Sequence, residues 1–266
     1  FICRGLFQLT VFDEMITPFA IAAFHSAFNI MTTLILLPFS KHLVYIAEHL
    51  IKEDNAKTAF LDERLLVSPA IAVTECRKKT MEVLNMSVEG VSKAMTMLES
   101  YDKNTKDELC QLEVDVDGMV EGCNQFLIRL SSKEISNRES IVVANMLHAL
   151  GDMERISDYS LNLISVAKKV NKSTIEIRNE IWSLVSPLIM ELNHILEMTR
   201  LVYVEGDAKK ASEIIEETDK LIQKIKKVKK SDLKLLRNGG GYAESSVYIS
   251  DYLSVLRRIA EHSQNI

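Results

Sequence analysis

Glycine, proline and aromatic side chains are scarce, with nine Gly, four Pro and 6% aromatics in 266 residues. So few turn formers and ring side chains exclude an ordinary all-β fold. Low hydrophobicity is also missing: 47% of the residues are hydrophobic and 26% charged, too apolar a mixture for a disordered chain. Positive charge is not in excess, since the net charge is −5 and the isoelectric point is near 5.8. No global basic field exists to drive phosphate contacts, which argues against nucleic acid as a partner. The four cysteines, Cys3, Cys76, Cys110 and Cys123, form no CxxC or other close spacing. They read as indifferent thiols in a reducing compartment, neither a disulfide framework nor a zinc site. There is no GxGxxG, no phosphate-cradling GxxxxGK[ST], no HExxH and no GxSxG, so the expectation is a protein that is not an enzyme.

What is present is an uneven distribution of apolar residues under a mean hydropathy of only +0.04. Residues Phe19 to Phe39 contain no Asp, Glu, Lys or Arg. About 20 helical residues cross a hydrocarbon core, so a transmembrane helix is expected over about 18–39, continuing as an amphipathic segment to about 52. Tyr45 and Lys41 are candidate interfacial anchors. Lys41, Lys52, Lys57 and Arg64 follow the run and only Arg4 precedes it, which places the C-terminal side in the cytoplasm. The first residue is Phe1 and no signal peptide pattern follows it, so the chain is expected to be cut from a longer one.

From Leu61 onward the pattern is helical, and it predicts helices over 70–101, 105–131, 136–169, 174–204, 207–236 and 244–266. Ser173 is a candidate N-cap, and the run Asn238, Gly239, Gly240, Gly241 ends the helix before it. These six helices divide into two sets of three. Met153–Leu163 (MERISDYSLNL) aligns without gaps on Leu256–Ile266 (LRRIAEHSQNI), keeping Arg155/Arg258, Ile156/Ile259, Ser160/Ser263 and Asn162/Asn265, an offset of 103 (258 − 155). Asp115 and Asp117 correspond to Glu217 and Asp219 at an offset of 102 (219 − 117). Two such matches at nearly one offset indicate duplication of a three-helix unit, and the expected fold is all-α.

Paired three-helix repeats that end in an (E/D)xxxD-type motif, then His or Tyr, then Asn, resemble PhoU-like proteins, regulators associated with bacterial phosphate uptake. ERISDYSLN fits the pattern closely, and RRIAEHSQN departs from it. The lead-in Leu61 to Val91 is similar to that found where a PhoU-like domain is fused behind a membrane domain. The apolar run resembles the last transmembrane helix of bacterial sodium-dependent phosphate cotransporters, in which His and Asn recur at the positions of His25, Phe28 and Asn29. The resemblance implies one transmembrane helix followed by a PhoU-like bundle. Residues 1–60 would end the transporter domain, and 61–266 would form a cytoplasmic PhoU-like domain with repeats at about 70–170 and 174–266. It further implies a sodium-dependent phosphate symporter of the inner membrane, multi-pass when complete. Its partners are inorganic phosphate and sodium as coupling ion, membrane lipid, the missing transporter core, and a signalling partner or second copy. The alternative is a membrane-anchored signalling or adaptor protein without transport activity.

Glu154 and Asp158 are one turn apart on one helix face, and the repulsion between them would be relieved by a hard cation. PhoU-like proteins carry clustered metal ions, often iron, at such motifs, which implies divalent or iron-type metal as cofactor. Asp117 and Asp219 on neighbouring helices are candidates for further oxygens, and Glu261 is the second-repeat counterpart of Asp158. The competing reading is a solvated acidic face balanced by Arg155 and Arg258. Arg257 stands where the first repeat has Glu154, and a fixed cation there disfavours metal. His25 and Asn29 are also one turn apart, inside the apolar run. They either face the transporter core or form a helix–helix hydrogen bond. The lysines at 220, 224, 226, 227, 229 and 230 form a solvated helix face or a contact for anionic lipid headgroups.

Overall fold

The structure, a computed structural model, describes residues 18–39, 61–238 and 243–266. The chain divides into two compact units, Phe1–Lys57 and Thr58–Ile266. In the first, α1 runs over Pro18–Leu36 and ends in a 3-10 turn, Leu37–Phe39. Its apolar side chains stand exposed, among them Phe24, Phe28 and Leu34. Among the described residues no helix is long and apolar enough to cross a membrane. The nineteen residues of α1 reach about 28 Å at 1.5 Å per residue, just under the ~30 Å hydrocarbon core. The expected transmembrane helix is therefore not established. The candidate anchors Lys41 and Tyr45 and the amphipathic continuation to about 52 lie outside the described residues.

In the second unit a 3-10 helix, Glu63–Val67, leads into six α-helices: α2 (Pro69–Thr96), α3 (Lys103–Ser131), α4 (Asn137–Val170), α5 (Ile175–Glu205), α6 (Ala208–Arg237) and α7 (Ala243–Asn265). Among the described residues there are no strands, as the scarcity of turn formers requires. Local chemistry sets the helix starts. Asp102 accepts from the Thr105 amide, and Asp207 from the amides of Lys209 and Lys210. Ser136 and Glu139 form a reciprocal capping box at the start of α4. The hydroxyl of the candidate cap Ser173 donates to Glu244 on α7 at 3.3 Å. Gly206, just past α5, takes φ +67°, the left-handed conformation that ends a helix most readily at glycine. The glycines at 239–241 lie outside the described residues.

α2, α3 and α4 pack on one another, as do α5, α6 and α7, and the two sets join through α4 against α7 and α2 against α5. Every buried hydrophobic side chain among the described residues lies between Ala72 and Ala260, so the core closes within this unit. Among the described residues, five hydrogen bonds join α2 to α5, three of them at the Arg77, Thr80 and Tyr203 end and two at Asn85 and Ser92. Ser92 Oγ donates to Asn193 Oδ1 and Arg200 Nε donates to Asn85 Oδ1, each at 2.9 Å. These last two bonds run in opposite senses, one donated from α2 and one from α5.

Candidate functional site: an acidic cluster on the first repeat

The register of α3 against α4 brings carboxylates from both helices together. Oxygens of Glu113, Asp117 and Asp158 all lie within 4.8 Å of one another, the one such group among the described residues. Glu113 and Asp117 are one turn apart on α3, as Glu154 and Asp158 are on α4. Burial, then the negative charge of Asp117, pushes the Asp158 carboxyl above its ordinary range. Burial raises Glu154 as well, with further contributions from Asp117 and Asp158. Glu113 is raised in the same way, by burial first and by the same two acids next. Arg155 opposes this at Asp158, its Nη1 standing 3.4 Å from Oδ2. Shared repulsion among hard oxygen donors is the condition a bound cation relieves, so the donor set fits a hard metal ion.

Of the residues the sequence singles out, Asp117, Glu154 and Asp158 lie in one electrostatic field. Glu113 was not anticipated, although its i, i+4 pairing with Asp117 is the same signal that singled out Glu154 and Asp158. The second repeat is built differently. Glu261 is clasped by Arg257 (2.7 Å) and Arg258 (3.5 Å), and Asp219 is exposed. Ile215 occupies the position of Glu113 at the 102-residue offset. Two donors are thereby lost and one cation gained, leaving an ion pair where the first repeat has a cluster of acids. In α1, Asn29 Nδ2 lies 3.1 Å from His25 Nε2, so these side chains bond to each other within their own helix.

Between the repeats Asp152 meets α7: His262 Nδ1 lies 2.7 Å from Asp152 Oδ1, and Asn265 Nδ2 donates to the same oxygen at 3.1 Å. Asp152 is thus engaged across the repeat boundary, while His148, one turn before it, is exposed. Two clefts lie elsewhere. One, of about 330 Å³, is lined by Arg77, Tyr203 and Asp207, and the other, of about 600 Å³, by Met190, His194 and Glu217. Neither contains the acidic cluster. Cys76 and Cys123 are buried, and the neighbouring Cys76 thiol together with burial pushes the Cys123 thiol up, which makes it a poor nucleophile.

The chain superimposes on the crystal structure of PhoU from Pseudomonas aeruginosa with a TM-score of 0.66 and 14% identity, covering 73% of this chain and 92% of that one. The bundle has the PhoU fold. Residues 80–167 match the PhoU domain family model, and they span most of α2, all of α3 and nearly all of α4. No curated protein sequence matches the chain. The PhoU domain match therefore falls on the repeat that carries the intact acidic cluster.

Proposed function

We propose that this chain is the C-terminal part of a sodium-dependent phosphate symporter of the inner membrane, and that its PhoU-like bundle is a cytoplasmic regulator of that transporter and not an enzyme. The observation that carries the proposal is the succession, in one chain, of an apolar helix with an internal His25–Asn29 pair and a self-contained PhoU-fold unit. In this reading α1 is the last membrane helix. It packs against the transporter core, which supplies the sodium and phosphate sites, with His25 and Asn29 turned toward that core.

Glu113, Asp117, Glu154 and Asp158 would hold a divalent or iron-type cation on the bundle. Such an ion would supply fixed positive charge and cross-link α3 to α4. The chain's own residues then set the response. With the cluster neutralised, α3 and α4 are locked in one register. With it empty, the repulsion loosens that register. A bundle whose two states bind two transporter conformations differently shifts the population between them, and so phosphate flux.

Sodium-dependent phosphate uptake by cells carrying the full-length protein tests this, compared with cells carrying the same protein truncated after residue 57. Truncation is expected to change the response of uptake to external phosphate. Uptake absent from both, or regulation identical in both, sinks the proposal, and the first result leaves a membrane-anchored adaptor in its place.

A further inference from the structure

The basic run of α6 acquires a definite geometry in the structure. Up to Lys224 three of the four lysines of the helix are balanced: Lys210 pairs with Glu205, Lys220 with Glu216 and Lys224 with Glu191, at 2.5 to 2.7 Å. From Lys226 onward the pattern changes. Lys226, Lys227, Lys230, Lys234 and Arg237 are all exposed, and none makes an ion pair with a described residue. At about 100° per residue these five fall within an arc of roughly 100° that points away from the core stripe of Leu221, Ile225 and Asp232. They extend over about 16 Å of helix. The only acid in that stretch, Asp232, lies on the buried side. Leu233, 56% exposed, borders the arc and has no role in the core.

We propose that this outward face of α6 is a docking surface for an anionic lipid bilayer. A row of lysines without acids is attracted to a negatively charged leaflet, and an exposed leucine beside it can enter the boundary between headgroup and acyl chain. Other anionic partners fit less well. A single-stranded nucleic-acid surface calls for aromatic platforms among the cations, and this face has none. Protein interfaces are depleted in lysine at their centres, whereas lysine occupies the middle of this face. The inference is independent of whether the complete protein transports phosphate.

Residues 58–266, whose core is self-contained, are the test protein. They are expected to co-sediment with phosphatidylcholine vesicles containing about a third phosphatidylglycerol at about 0.1 M salt, to bind pure phosphatidylcholine far less, and to release as salt rises. Each cation lost weakens such binding about five-fold. Lys227→Gln/Lys230→Gln/Lys234→Gln is therefore expected to weaken it about 100-fold with an unchanged circular dichroism spectrum. Arginine at the same three positions is expected to retain binding, and Leu233→Ser to weaken it several-fold. Equal binding to neutral vesicles, wild-type binding by the triple Gln variant, loss of binding in the Arg variant, or tighter binding to duplex DNA or polyglutamate at the same salt would overturn the proposal.

Discussion

Tyr159 and His262 are the same position of the two repeats, 103 residues apart (262 − 159), and their rings meet with centroids 5.7 Å apart and planes inclined at 32°. Equivalent residues can touch each other only near a two-fold axis, so this contact marks where the axis passes between α4 and α7. Tyr159 follows Asp158 of the acidic cluster and His262 follows Glu261 of the ion pair, which joins the two sites through one aromatic contact.

Beside that contact, Asp152 is the shared acceptor for His262 and Asn265, and its side chain is only 19% exposed. Asp152→Ala leaves the partly buried His262 and the exposed Asn265 without their partner and is expected to cost about 1 kcal/mol. For a unit of this size that lowers the melting midpoint by about 2–4 °C per kcal/mol in a thermal scan of residues 58–266. A double-mutant cycle with His262→Ala is expected to return a coupling of at least about 0.5 kcal/mol.

The acidic cluster makes a signed prediction about pH. Glu113, Glu154 and Asp158 all have carboxyls raised by burial and like charge, so the folded state binds more protons than the unfolded chain. The contribution of these three acids to metal-free stability is thus greatest below the ordinary carboxylate range and falls as pH rises from that range through the raised folded values. Glu154→Gln/Asp158→Asn is expected to flatten that slope and to raise the melting midpoint at neutral pH. Added Mn²⁺ or Fe²⁺ should stabilise the wild type, by about 2.7 kcal/mol at a hundred times the dissociation constant, and leave the variant where it was.

The second repeat offers the converse test. Ile215 and Arg257 stand in place of Glu113 and Glu154, while Asp219 and Glu261 retain the other two acids. Ile215→Glu/Arg257→Glu releases Glu261 from its 2.7 Å ion pair and restores the four-carboxylate pattern. Bound metal per chain, measured after dialysis, is expected to roughly double. An unchanged ratio in a protein whose first site does load would mean that two acids per helix are not sufficient.

A last prediction concerns the core. The Thr218 hydroxyl is fully buried on α6 without a hydrogen-bond partner, whereas the position 102 residues earlier is the buried Val116. Thr218→Val removes an unsatisfied polar group at nearly constant volume and is expected to stabilise the bundle by about 1 kcal/mol in urea unfolding. A loss of stability would show that the hydroxyl has a partner such as a buried water.

The periodicity of the chain by itself determined six helices to within a few residues at most ends, the three-helix duplication and the pairing of Glu154 with Asp158, because helix geometry makes these properties local. It overran at α2, predicted to 101 and ending at Thr96, since residues 97–100 remain favourable for helix but turn to let Tyr101 pack on the core and Asp102 cap α3. Only the tertiary structure decided which helix faces meet. It joined Glu113 to Asp158, set Asp152 against His262, bonded Asn85 to Arg200 and Ser92 to Asn193, and clasped Glu261 with two arginines. The reason is physical: the order of residues along a helix sets its own faces, but the partner of each face is set by how two helices slide and rotate against one another until their apolar stripes are buried.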